Sequence, residues 1–181
     1  MAKETEQGLG TPLRFEADPE TKRKKGAYRP VFADVFTLPG ASPSKIEKVH
    51  LLVNPFAGKK RGRAVAAQVV ELVERAGIEI TVSYSAYSGH LVTMASALVV
   101  GDHDIIAVVG GDGSLSEAIT GRMLLNGKRT ETFAIVPAGT GNSQAHDLRL
   151  STPEEAVEAM LNGRRQALDL ARVELLSLIH I

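Results

Sequence analysis

The 181-residue sequence contains no cysteine and no tryptophan. Without cysteine there is no disulfide, no thiolate nucleophile and no thiolate metal site. Aromatic residues make up only 4% of the chain. Proteins that read single-stranded nucleic acid lean on aromatic stacking platforms, so that class is disfavoured. An excess of either charge is also missing, since 21 Lys plus Arg balance 21 Asp plus Glu. No net field steers the chain to a polyanion, and no nucleic-acid partner is expected. No apolar run reaches the length of a membrane span, and the first ten residues are too polar for a signal peptide. A cytoplasmic protein is the expectation.

A hydrophobic fraction of 44% is enough for the core of one α/β domain. Residues 1–44 differ from the rest. They mix charge, Pro and Gly without a period, and they carry the basic run Lys22, Arg23, Lys24 and Lys25. A solvated, disordered leader is expected there. Four basic residues are too few to prefer a membrane-surface patch.

From residue 45 onward the pattern becomes periodic. Val49 to Val53 are uniformly apolar apart from His50, as in a buried strand, and stop at Asn54-Pro55. Val65, Val69, Leu72, Val73 and Ala76 repeat at helical spacing, which predicts a helix over 63–76 with Gly77 as its C-terminal stop. Ile78, Ile80 and Val82 alternate with polar residues, as in a strand open to water on one face. A short apolar helix is expected over 91–100, closed by Gly101, then a buried strand over 105–109. Ser114 and Glu117 form a predicted capping box for a helix over 115–125. A strand is expected over 133–136. Thr152, Pro153 and Glu155 mark a last helix start, running to Leu161. Strands alternating with helices imply a three-layer α/β fold, a largely parallel sheet flanked by helices on both faces.

Three strand-to-helix turns are rich in glycine: Asn54-Pro55-Phe56-Ala57-Gly58, Gly110-Gly111-Asp112-Gly113-Ser114, and Pro137-Ala138-Gly139-Thr140-Gly141-Asn142. Glycines let backbone N–H groups face an anion closely, and a helix start behind the loop adds positive potential. One such turn is often only structural. Three on one sheet edge point to a phosphate or nucleotide site. The Walker A pattern is not met between Gly58 and Gly62. The dinucleotide fingerprint fails because Ser116 and Gln144 stand where its third glycine would fall.

Asp112 is the candidate for chemistry. An acid facing phosphates needs a cation between them, or must take a proton, so Mg²⁺ binding and general-base work both fit, beside a purely structural Asx turn. Glu117 is explained by its predicted capping role. His90 either meets a phosphate or starts the next helix. His103, His146 and His180 have no partners at metal-ligand spacing.

The three turns, joined by Ser88-Gly89-His90 and by Glu117, resemble in order the signature of the diacylglycerol kinase catalytic domain, over residues 45–169. Sphingosine kinases, ceramide kinases and bacterial lipid kinases share it. The Gly-Gly-Asp-Gly element also occurs in NAD kinases, and Pro-Ala-Gly-Thr-Gly-Asn is what makes the combination specific. The resemblance implies ATP-dependent phosphoryl transfer to a lipid hydroxyl at a membrane surface, with ATP and Mg²⁺ as cofactors. It places Asn54, Pro55, Gly58, Ser85, Gly89, His90, Gly110, Gly111, Gly113, Ser114, Glu117, Gly139, Thr140, Gly141 and Asn142 around the nucleotide, and Asp112 at the reaction or its metal. Ala57, Ser114, Ser116, Ser143 and Gln144 depart from common family residues, which leaves the lipid open between a sphingoid base and a diacylglycerol.

The resemblance further implies a second, β-sandwich domain holding the lipid. Residues 165–181 read as its opening strand. The chain is therefore expected to be a truncated, ATP-binding portion, 45–164, with no activity by itself. An NAD kinase-like enzyme and a non-catalytic nucleotide-binding module are the alternatives. The former is disfavoured because no Glu follows Gly141-Asn142-Ser143.

Overall fold

The computed structural model describes residues 46–99, 101–102, 104–125 and 131–162, with the single positions 165 and 170. The expected leader, and all but two positions of the expected second-domain strand, lie outside the described residues.

Four strands form one parallel sheet: β1 (Lys48–Val53), β2 (Glu79–Tyr84), β3 (Ile105–Gly110) and β4 (Thr132–Pro137), in the spatial order β2-β1-β3-β4. β3 is buried at all six positions, as its unbroken β-branched and small residues require for a strand covered on both faces. β2 lies at one edge of the described sheet. Its Ile80 and Val82 pack inward while Glu79, Thr81 and Tyr84 are exposed, matching the predicted alternation.

Alternate residues of β1 and β3 feed two separate cores. Val49, Leu51, Val53, Ile105, Ala107 and Val109 meet Ala66, Val69 and Val73 of α2 (Gly62–Arg75) and Ala156, Val157 and Met160 of α6 (Pro153–Asn162). Leu52, Ile106 and Val108 meet Leu91 and Ala95 of α3 (His90–Ala97) and Leu115 and Ala118 of α4 (Asp112–Met123). The two short pieces not foreseen are α1 (Ala57–Lys60), a single turn, and α5 (Ser143–Asp147).

The helix ends follow their local chemistry. Gly77 has φ +74°, its N–H donates to the Glu74 carbonyl and that of Ile78 to Val73, which is a Schellman ending. Thr152 Oγ1 accepts the Glu155 N–H while Glu155 Oε2 accepts the Thr152 N–H, the expected reciprocal capping box. The capping box expected at Ser114 and Glu117 does not form. α4 begins three residues earlier, at Asp112, with Gly111 as N-cap and no side-chain cap bond. The helix starts directly from the end of β3, so Ser114 and Glu117 lie within it and point to other loops. α3 is also shorter than expected, because Leu98 has extended backbone (ψ 134°).

Candidate functional site

Parallel pairing aligns the strand ends, with Val53 opposite both Tyr84 and Val109, and Gly110 opposite Pro137. All four following loops therefore leave one edge of the sheet. The chain turns from β1 outward to β2 and then back to β3, so the crevice between β1 and β3 is a topological switch point, the usual place for a ligand in such sheets.

Asn54 closes β1 and joins two loops. Its N–H donates to the Val109 carbonyl at 2.9 Å, its Oδ1 accepts the Phe56 N–H at 3.0 Å, and its Nδ2 donates to Ser114 Oγ at 3.0 Å. Ser114 is thus a buried tie between β1 and α4, which explains its position better than a cap does. Gly58 lies in the left-handed region, φ +51°, and a Cβ there would stand 1.9 Å from the Ala138 carbonyl oxygen. The first and third glycine loops are in backbone contact through it.

The second and third loops touch more closely still. Gly110 O accepts the N–H groups of Ala138 and Gly139 at 2.9 and 3.1 Å. A Cβ on Gly139 would lie 2.6 Å from Gly111 Cα. Asn142 is left-handed, φ +54°, and its Nδ2 donates to the Gly139 carbonyl at 3.0 Å. Its Oδ1 is buried without a hydrogen-bond partner, which leaves an acceptor on offer beside both glycines.

Asp112 sits at the centre. Its Oδ1 accepts the Gln144 N–H and its Oδ2 the Ser143 N–H, each at 2.9 Å. These two backbone donors, Gln144 first, hold its carboxyl below the usual carboxylate range, outweighing a smaller opposing effect of burial. The carboxylate stays ionised at neutral pH.

The loop after β2 forms a second group. Ser85 is buried, with its N–H on the Val53 carbonyl at 2.8 Å. His90 starts α3; its Nδ1 accepts the Ala86 N–H at 3.0 Å and its ring stacks on Tyr87. Glu117 Oε1 accepts the Gly89 N–H at 3.1 Å, so the side chain expected to cap α4 instead ties α4 to this loop. Thr140 is exposed and Gly141 lies over Asp112, a Cβ there standing 3.5 Å from Oδ2.

Gly113 differs from its neighbours. It has an ordinary helical φ, and a Cβ there would meet nothing within 4 Å. Gly58, Gly110, Gly111 and Gly139 have packing reasons to lack a side chain; Gly113 has none inside the protein. An open glycine in the first turn of a helix, where N–H groups lack acceptors, is the arrangement a phosphate oxygen requires.

A cleft of about 420 Å³ opens beside Ser85 and Pro55, walled by Phe56, Lys60, Arg63, Tyr84 and Ala86. Arg63 lies over the Tyr84 ring, 4.6 Å from its centroid. Lys60, Arg63, Phe56 and Tyr84 were not singled out from the sequence, although the cations Lys59, Lys60, Arg61 and Arg63 directly after Gly58 were a readable signal. A groove of about 460 Å³ between α2 and α6, lined by Leu72, Val157, Leu161 and three glutamates, lies on the helical flank and brings no chemistry together.

The four loops and their ties leave backbone donors, an orphaned amide oxygen and one ionised carboxylate at a single edge. That set fits a nucleotide. It fits Mg²⁺ only as phosphates and water hold it, because no group of three or more His, Asp or Glu able to cage a metal occurs among the described residues.

Residues 48–173 match the family model described as the diacylglycerol kinase catalytic domain. Sphingosine kinase B of Dictyostelium discoideum is 31% identical over 143 residues, covering 76% of this chain and 18% of its own length. Sphingosine kinase 1 of Arabidopsis thaliana is 30% identical, covering 80% and 32%. A diacylglycerol kinase crystal structure from Bacillus anthracis superposes with a TM-score of 0.55 at 26% identity, over 67% of this chain and 48% of that one. The chain thus spans less than half the length of these relatives. The matched region contains every loop described above, and by that match the chain belongs to the diacylglycerol kinase catalytic-domain family of lipid kinases.

Proposed function

We propose that this chain is the nucleotide-binding portion of an ATP-dependent lipid kinase. The observation that carries the reading is the open Gly113 in the first turn of α4, beside Gly58, Gly110, Gly111 and Gly139, which are closed by packing. Gly113, Thr140 and Gly141 offer N–H groups to the phosphates. Asn54, Ser85 and Asn142 line the crevice, and Lys60 and Arg63 neutralise charge from the cleft side.

In the proposed reaction the lipid hydroxyl oxygen attacks the γ-phosphorus and the bond from that phosphorus to the β,γ-bridging oxygen breaks. ADP leaves and the hydroxyl proton passes to solvent water. Such transfer depends on positioning and charge neutralisation more than on covalent help from the protein. Mg²⁺, when bound with the phosphates, supplies further neutralisation, and the ionised Asp112 faces that region. The acceptor is a sphingoid base or a diacylglycerol. It is brought by a second domain, of which residues 165–181 are the proposed start, while residues 1–44 are a proposed leader. The enzyme would meet its lipid as a peripheral protein. Among the described residues no helix is long and apolar enough to cross a membrane.

The test is phosphate transfer from labelled MgATP by a chain extended to the length of its relatives, against micelles of sphingosine, diacylglycerol and ceramide, with NAD in parallel. Label in one lipid is the expected result and names the substrate. Label in NAD alone, or none in a folded protein, would overturn the reading.

A further inference from the structure

The ionised Asp112 has both oxygens already engaged. Oδ1 and Oδ2 each accept one backbone N–H from the first residues of α5, across 32 and 31 positions of sequence. α5 has only five residues, and its own N-cap, Asn142, makes no side-chain cap bond. Left-handed Asn142 (φ +54°) and Arg149 (φ +60°) flank it. A helix that short, between two strained residues, has no stability of its own. Asp112 provides from another loop the cap that α5 lacks.

The same two loops meet at their backbones. Gly139 packs on Gly111 so closely that a Cβ would stand 2.6 Å from Gly111 Cα, and both Ala138 and Gly139 donate to Gly110 O. The contact brings Gly141 over Asp112, where a Cβ would stand 3.5 Å from Oδ2. Among the described residues, the other hydrogen bonds that join these two loops are the two accepted by Gly110 O.

We infer that Asp112 is a latch that fuses the Gly110–Ser114 and Pro137–Asn142 loops into one phosphate-binding body, a positioning residue and not the acceptor of the lipid hydroxyl proton. The inference rests on the lipid-kinase reading above. A general base works best with a proton affinity matched to the operating pH. Asp112 has its oxygens turned to Ser143 and Gln144, and those donors favour its charged form. The main bonds of the latch are made with backbone N–H groups, to which the Ser143 side chain adds a smaller contribution.

The sign of the pH dependence follows. A carboxylate with a lowered folded pKa contributes stability above its unfolded value and loses it as pH falls through the folded one. The latch is therefore constant across neutral and mildly acidic pH, and Asp112 places no limb in the pH–rate profile between about pH 5 and 8.

The experiment combines residue-resolved amide exchange with kinetics. In the unmodified chain, Ser143 and Gln144 amides should be protected. In Asp112→Ala both should exchange at least tenfold faster. In the extended enzyme the KM for MgATP should rise about tenfold, as for loss of one to two charge-assisted hydrogen bonds, while the pH–rate profile keeps its shape. Asp112→Asn, nearly isosteric, keeps one acceptor and should fall between the two; it serves if the alanine variant does not fold. Unprotected Ser143 and Gln144 amides in the unmodified chain would overturn the latch. So would a hundredfold fall in kcat with KM for MgATP and amide exchange unchanged, or loss of an acid limb from the profile. If no lipid is phosphorylated, the exchange arm still judges the latch, and the function above fails by itself.

Discussion

At the residue scale, the glycines of the site separate into two kinds that look alike in sequence. Gly139 is a packing glycine. A methyl there would meet Gly111 Cα at 2.6 Å and Gly111 N at 3.0 Å, both backbone atoms that cannot swing aside. Gly139→Ala should therefore cost about 1–3 kcal/mol by overpacking, and nucleotide affinity should fall with it. Gly113 is a helical glycine with open space above it. Gly113→Ala should leave stability unchanged or raise it by up to about 1 kcal/mol, since alanine is the better helix former. It should nonetheless weaken MgATP binding about tenfold, the equivalent of one lost phosphate contact. Denaturant midpoints and titration with a fluorescent ATP analogue separate the two variants. A Gly113→Ala chain that binds as well as the parent would remove Gly113 from the site.

At the scale of elements, α3 and α4 are locked by a buried cation. Arg122 is 2% exposed and pairs through Nε and Nη2 with Glu131, itself 9% exposed. Its Nη1 donates to the carbonyls of Ala95 and Leu98, at 2.9 and 2.7 Å, where α3 ends. Next to it, Gly121 lets α4 pass close to α3, since a Cβ there would be 2.2 Å from the Val92 carbonyl. Arg122→Met should destabilise the chain by about 3–5 kcal/mol, because the guanidinium partner of a buried carboxylate is lost. Arg122→Lys should recover only part, since an ammonium cannot fork to both carbonyls and the acid. Denaturant unfolding decides it, and a loss under about 1 kcal/mol would show that Arg122 carries little of the α3–α4 packing. None of this was legible beforehand. Arg122 reads as one more surface cation on a helix, and its burial depends on a partner at the start of β4. What was legible follows from short-range rules: β3 from its β-branched run, β2 from its alternation, the end of α2 from Gly77, the start of α6 from Thr152 and Glu155. The same rules misplaced Ser114 and Glu117. Both sit at capping-box spacing, but β3 runs straight into α4, so the helix starts earlier and the two side chains reach Asn54 and Gly89 instead. The glycine loops do gather at one edge of the sheet, as expected of strand-to-helix turns in a parallel sheet, while the tie from Asp112 to α5 spans more than thirty residues and has no local signature.

At the scale of the whole molecule, the order β2-β1-β3-β4 brings loops from every strand to one edge, yet few bonds join them across the switch point. Asn54 to Ser114 and Asn54 to Val109 link β1 to the β3 side, and Glu117 to Gly89 links α4 to the loop after β2. A nucleotide seated there would bridge both sides, and it would bind only the folded chain. Ligand linkage then sets the size of the effect: MgATP at a hundred times its dissociation constant should raise the unfolding free energy by about 2.7 kcal/mol. The added amide protection should concentrate at the C-terminal ends of β1, β3 and β4 and in the first turn of α4. Mg²⁺ alone should do nothing, because the described residues hold no cluster of acids or histidines to cage it. The Gly113→Ala chain, given the same MgATP concentration, should keep its own stability and lose about half of the increment. A full shift from Mg²⁺ without nucleotide would mean that the chain holds a metal by its own side chains. No shift from MgATP in a well-folded chain would mean that this edge does not take a nucleotide, and that its glycines serve only to let the loops pack.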